Sequence, residues 1–237
     1  MSDPSSAIAA YDRLRRAIMR LELPPGAQVS EASLVEEFGF SKASVRAALA
    51  RLRSDGLVLA QPRRGHVVAP LTMRDVLEVY DLRLTLEPPA AVAAAQRIDE
   101  AELQQLAALA GPDVGLSEAD ELERFMAANT TIHLGIVRAA GNGRATRIVE
   151  RLLDDSERAR RVALQCGAAD GGARAREELR SVLAALGARD GERAAQVLAA
   201  AIKAFREDLS EALGRAVLDT PLPVAPPSDP DATGRPS

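Results

Sequence analysis

The sequence predicts a mostly α-helical protein in two parts, with one small β-hairpin near the N-terminus and an antiparallel bundle of about six helices after it. Three observations carry that prediction. Apolar residues recur at helical spacing through most of the 237-residue chain, interrupted by short Gly/Pro segments. Only residues 57–60 and 66–69 read as short strands, joined by Pro62-Arg63-Arg64-Gly65. Charge also divides along the chain: residues 1–70 hold ten Lys/Arg against seven Asp/Glu, a net +3, within a whole of net −4.

The N-terminal elements follow in order. Residues 7–21 place Ile8, Tyr11, Leu14, Ile18 and Leu21 near helical spacing. Leu23-Pro24-Pro25-Gly26 stops this helix, because proline cannot continue the hydrogen-bond ladder and glycine permits the turn. Ser30 caps a short second helix with Leu34, Val35 and Phe38 facing inward, and Gly39 ends it. Ser41 caps a third helix, whose apolar stripe is Val45, Ala48, Leu49 and Leu52. Two helices joined by so short a turn, followed by a hairpin with arginines at its tip, predict a winged helix-turn-helix over residues 1–71.

From residue 72 onward the pattern is helical throughout. Thr72 is placed to cap a long helix with Met73, Val76, Leu77, Tyr80 and Leu84 inward, disturbed at Pro88-Pro89. Further helices are expected over 99–110, 117–140, 144–165, 174–188 and 191–216, separated by glycine-rich turns. They make residues 72–218 an all-helical bundle, while the proline-rich segment 219–237 has no packing pattern and is expected to be a disordered tail.

The third helix points to chemistry. Lys42, Arg46 and Arg53 project on one flank, Arg51 on the other, with Ala43, Ala47 and Ala50 between them. Small residues on an outer face with cations along its edges suit a groove lined by phosphates. The bland alternative is an amphipathic helix with a solvated basic face. The candidate DNA contacts are Ser41, Lys42, Ser44, Arg46, Arg51 and Arg53 on this helix, and Arg63, Arg64, Gly65 and His66 on the wing. A basic head on an acidic body suits salt-sensitive phosphate binding through one face.

Composition narrows the rest. Aromatics are 3% with no tryptophan, so alanine and leucine must fill the helical core. A lone cysteine, Cys166, excludes an internal disulfide and fits a reducing cytoplasm, where the protein is expected to act. No apolar run is long enough to cross a bilayer, and no signal peptide opens the chain. With two histidines and one cysteine, no nucleophile–base–orienter set emerges, and Gly141-Asn142-Gly143 reads as a helix-joining turn, so no enzyme is expected.

Pro24-Pro25-Gly26, the run Ser41 to Leu49, Leu52, Asp55-Gly56-Leu57 and Pro62-Arg63-Arg64-Gly65 together resemble the DNA-binding domain of GntR-type bacterial transcription regulators. The resemblance implies a homodimer on a pseudo-palindromic double-stranded operator. Two positions depart from that pattern: Ala32 stands where members usually have arginine, and Ala47 where an acidic residue commonly follows the recognition arginine.

Leu82-Arg83 through Leu86-Glu87, Asn129 through His133, Ala140-Gly141-Asn142 and Asp190 resemble the FCD effector domain of the FadR subgroup over about residues 73–215. Many such domains hold a divalent metal with an Asp or Asn and three histidines. Here Asn129 and His133 share an inward stripe, but Leu179 and Ala201 stand where two further histidines are expected. The expectation is therefore no cofactor and a lost metal site, with weak metal binding through Asn129 and His133 left open.

The candidate effector contacts are Arg83, Asn129 and His133. Arg83 either clamps a carboxylate or pairs with Glu87, and His133 is either a ligand contact or a hydrogen-bonded core residue. The implied function is a ligand-responsive regulator, in the repressing mode, whose effector is a small organic acid or similar metabolite. The alternative is a constitutive DNA-binding repressor whose bundle only dimerises.

Overall fold

A computed structural model describes residues 4–62, 65–111, 119–165 and 172–212. Arg63, Arg64, Cys166 and the 219–237 segment lie outside the described residues. The chain divides into two compact units, one reaching Thr72 and one starting at Met73.

The first unit comprises α1 (Pro4–Met19), β1 (Gln28–Val29), α2 (Glu31–Phe38), α3 (Lys42–Ser54), β2 (Val58–Gln61) and β3 (Gly65–Val68). Its core gathers Leu14 and Ile18 from α1, Leu34 from α2, Val45, Leu49 and Leu52 from α3, and Val58 and Val68 from the sheet. The helix ends are chemically specified. Ser30 and Ser33 form a reciprocal capping box at 3.0 Å, and Gly39 closes α2 at φ 71° with its N–H on the Val35 carbonyl. Ser41 Oγ accepts the Ser44 N–H at 3.2 Å to start α3.

Two local features differ from the sequence expectation. α1 ends at Met19, before the prolines, because Leu21 itself turns into the left-handed region at φ 62°. That conformation costs a leucine about 1–2 kcal/mol. Burial of Leu21 and Leu23 in the core offsets it, and the Leu23 N–H reaches the Ala17 carbonyl at 3.1 Å. The second difference is β1, a two-residue strand too short to show a period. It joins the antiparallel hairpin to give the order β1-β3-β2, with Val29 opposite His66. Gly65 is required here: its φ is +85°, and a Cβ would lie 2.9 Å from the Val29 carbonyl oxygen.

The second unit holds α4 (Met73–Ala95), α5 (Glu100–Ala110), α6 (Ala119–Ala139), α7 (Gly143–Gln165), α8 (Gly172–Gly187) and α9 (Gly191–Ala212). α4 is central and packs most extensively along α9, with α6 and α7 on other sides of it. It continues as a helix through Pro88 and Pro89, which the sequence marked as a disturbance. Each proline removes one ladder hydrogen bond, but Ala90, Ala91, Ala94 and Ala95 beyond them are buried. Packing of a small-residue face thus overrides the local penalty. The same tightness fixes Gly191 at the start of α9, where a Cβ would lie 2.9 Å from Val92 Cα of α4.

Candidate DNA-binding face and ligand cavity

The outward side of α3 carries Lys42, Ala43, Arg46, Ala47, Ala50, Arg51 and Arg53, all exposed. The opposite side, Val45, Ala48, Leu49 and Leu52, is sealed in the head core. A helix so anchored presents a smooth, cation-edged ridge. Arg46 is 65% exposed yet not free to wander: its Nε and Nη2 donate to the two Glu31 carboxylate oxygens, each at 2.9 Å. Those hydrogen bonds hold the Glu31 carboxyl below the usual carboxylate range. Arg51 is held differently, its guanidinium lying 3.8 Å from the centre of the Tyr11 ring, while the Tyr11 hydroxyl donates to Asp55 Oδ2 at 2.8 Å.

The structure corrects one residue of the expected DNA face. Ser44 is 1% exposed and its hydroxyl sits 2.9 Å from both Ser6 Oγ and Ser41 Oγ, so it ties α1 to α3 and meets no groove. Ser41 is exposed, although its hydroxyl already caps α3. His66 is half-buried at the wing base, its Nδ1 buried without a hydrogen-bond partner among the described residues. Gly65 offers only backbone.

Inside the bundle, a cavity of about 30 Å³ lies between α4, α6, α7, α8 and α9. Arg83, Asn129 and His133 all line it, as do Leu179 and Ala201. Arg83 is not a vacant clamp, however. Its Nε donates to Glu87 Oε1 at 2.5 Å, and Nη2 makes a longer contact of 3.5 Å to Oε2. This is the ion-pair alternative, buried rather than on the surface: Glu87 is 0% exposed. The other Glu87 oxygen lies 2.5 Å from His133 Nδ1.

Burial would raise the Glu87 carboxyl, but the charges and hydrogen bonds of Arg83 and His133 outweigh it and bring its pKa down to about 2. Burial lowers the His133 pKa, with Glu87 opposing that shift. At neutral pH the imidazole is then uncharged, with Nδ1–H donated to the Glu87 carboxylate and Nε2 left as the acceptor. Arg83 Nη2, 3.2 Å from the same Nδ1, is a neighbour rather than a donor to it.

Sequence reasoning missed Arg160. It lines the cavity from α7, is 9% exposed, and stacks 3.8 Å from the Phe205 ring centre and 5.2 Å from that of Phe125. Its Nη1 is buried with no hydrogen-bond partner among the described residues. A signal existed: Val149, Leu153, Ser156, Arg160 and Ala163 recur at helical spacing, which puts an arginine on a core stripe. Arg174, on the same cavity wall, has partners in Asp208 and, at 3.6 Å, Glu178.

This donor set does not suit a resident divalent metal. Among the described residues no three His, Cys, Asp or Glu side chains converge on one point. His133 Nε2 and the Asn129 amide are neutral donors, the Glu87 carboxylate is occupied by Arg83 and His133, and Arg160 adds an opposing charge.

Comparison with known proteins matches these two units. Residues 7–68 match the family of bacterial regulatory proteins, gntR family, and residues 78–204 match the FCD domain. An uncharacterised HTH-type transcriptional regulator from the TAR-I ttuE-ttuC' intergenic region of Agrobacterium vitis is 31% identical over 143 residues, 59% of this chain and 84% of that protein. The HTH-type transcriptional repressor RspR of Escherichia coli (strain K12) is 28% identical over 150 residues, 63% of this chain and 66% of its own length. The structure of E. coli McbR/YncC shares the fold, with a TM-score of 0.73 at 23% identity over 88% of this chain and 98% of that one. The chain belongs to the GntR family of bacterial regulatory proteins, with an FCD domain following its winged helix-turn-helix, and is a DNA-binding transcription regulator rather than an enzyme.

Proposed function

We propose that this regulator is a ligand-responsive repressor that binds a pseudo-palindromic operator as a homodimer, with its effector in the bundle cavity and no resident metal. The observation that carries the DNA half is the exposed α3 face, small along its crest and cationic along its edges. Arg46, pre-oriented by Glu31, is suited to read a base edge, while Lys42 and Arg53 are suited to meet phosphates. A head of net +3 neutralises few phosphates alone, which favours two heads on half-sites about one helical turn apart. The relative RspR, a transcriptional repressor, supports the repressing mode.

The ligand half is supported by the convergence of Asn129, His133 and Arg160 on one cavity, whose other charged wall residues, Arg83, Arg174 and Glu178, are held in ion pairs. Regulation then requires unequal ligand affinity for two bundle arrangements, a coupling of about 1–3 kcal/mol. One observation favours the rival, a constitutive repressor whose bundle only dimerises: a cavity of about 30 Å³ holds little more than a water. Genome-wide recovery of bound fragments, then metabolite titration on the best site, separates the two. The proposal expects at least one metabolite to shift operator affinity, and operator binding that none alters would establish the rival.

A further inference from the structure

We propose that α3 reads thymine as well as guanine: the Arg46 fork takes a guanine, and the exposed methyl groups of Ala43 and Ala47 take the C5-methyl groups of thymines beside it. The inference rests on the reading of α3 as the helix that enters the major groove, and it assigns Ala43 and Ala47 as specificity-determining residues.

Hydrogen-bonding groups on this face are few. Ser44 is buried against Ser6, and the Ser41 hydroxyl caps α3. On α2, the Ser33 hydroxyl donates to the Ser30 carbonyl and accepts the Ser30 N–H, each at 3.0 Å. Arg51 is drawn aside over the Tyr11 ring at 3.8 Å. Lys42 and Arg53 stand at the edges, where the phosphates run. Arg46 is held in place by giving an Nε and an Nη2 hydrogen to Glu31. The end of its fork, Nη1 together with the second Nη2 hydrogen, stays open, and that edge fits guanine O6 and N7. The same pairing occupies both Glu31 oxygens, so the carboxylate is not offered to the amino group of cytosine or adenine.

The rest of the crest is methyl. Ala43 stands three residues before Arg46 and Ala47 one after it, both exposed. They lie one helical turn apart, about 6 Å along the axis against about 3.4 Å per base step, so each faces a different base pair. A methyl group neither donates nor accepts. Against an amino or carbonyl edge it displaces water and returns no hydrogen bond, whereas against thymine it meets another methyl. Val45, Ala48 and Leu49, locked in the head core, fix the height of this crest. No longer side chain stands between the two alanines except Arg46, whose position Glu31 sets.

The probe is the duplex that the full-length protein selects in vitro from a random library. The selected site is expected to hold a guanine with thymine within about two base pairs of it. Each thymine is then replaced singly by deoxyuridine, which keeps every hydrogen-bonding group and lacks only the methyl. Affinity is expected to fall about fourfold at each thymine that meets an alanine, the value of one buried methyl. Ala43→Gly and Ala47→Gly are each expected to abolish the thymine-to-deoxyuridine ratio at one position and keep it at the other. The ratio is taken within one protein, so any loss of helix stability cancels. A selected site without such a thymine, or equal affinity for thymine and deoxyuridine throughout, would overturn the inference. A ratio unchanged in both glycine variants would do the same, by tracing the methyl effect to duplex shape. Arg46→Ala is a separate arm. If it lowers selectivity while deoxyuridine has no effect, α3 still enters the groove and this inference alone falls. If it and both glycine variants leave selectivity unchanged, α3 is not the reading helix and both fall.

Discussion

Two arginine–glutamate pairs, one in each unit, show how the same chemistry serves different ends. Arg46 and Glu31 bridge α3 and α2 across an exposed surface, with Arg46 65% exposed. Arg83 and Glu87 sit one turn apart on α4, fully enclosed, with His133 of α6 completing the set. The exposed pair is screened by water and salt, so its contribution to folding is small and its value lies in aiming a guanidinium. The buried pair has lost its hydration, so each charge depends on the other. An ion pair orients where water reaches it and becomes obligatory where water does not.

That comparison breaks most visibly at Glu87. Glu87→Ala leaves Arg83 buried and unpaired and removes the acceptor for His133 Nδ1, which should cost about 3–5 kcal/mol in denaturant unfolding of the bundle. Glu31→Gln at the exposed pair should leave the unfolding midpoint unchanged within error. A similar loss at both sites would erase the distinction.

Removing the Arg46 guanidinium is expected to cost next most. Arg46→Ala should weaken binding to the best operator by roughly 5- to 150-fold, as for loss of one bidentate base contact, with little change on random DNA. Glu31→Gln should fall in the same direction but short of it, because the guanidinium remains and only its orientation is loosened. Competition assays on matched and scrambled duplexes measure both.

Acid sharpens the contrast further. The folded-state pKa values of Glu87 and His133 both lie below their ordinary values of 4.5 and 6.5. In each case the unfolded chain binds its proton first, so stability must fall as pH falls. The His133 contribution begins to disappear below about 6.5, and that of Glu87 disappears between about 4.5 and about 2. Circular dichroism of urea unfolding should show both segments, and Glu87→Gln should abolish the lower one.

The smallest effect belongs to the wing tip. Arg63→Ala or Arg64→Ala should weaken binding evenly across sequences and reduce the slope of log affinity against log salt by about 1 each. A sequence-selective loss would instead mark a base-reading wing.

Much of this was written locally in the chain. The serine caps at Ser30 and Ser41, the glycine stop at Gly39 and the 3.6-residue stripes of α3 and α6 each depend on residues within a turn or two of each other, so the sequence alone specified the winged head, the six-helix bundle and the shared inward face of Asn129 and His133. What it left open depended on distant partners. Ser44 reads as polar until α1 covers it, and Arg83 reads as a clamp or a pair until burial of α4 forces the pair. β1 exists only because β3 lies beside it, and α4 survives two prolines only because its alanines are packed. Arg160 carries an unexpected charge on an apolar stripe in the sequence, but that its Nη1 would be buried without a hydrogen-bond partner among the described residues was decided only when five helices closed around it. Propensity and period are properties of neighbours along the chain, whereas desolvation and hydrogen-bond satisfaction are properties of neighbours in space.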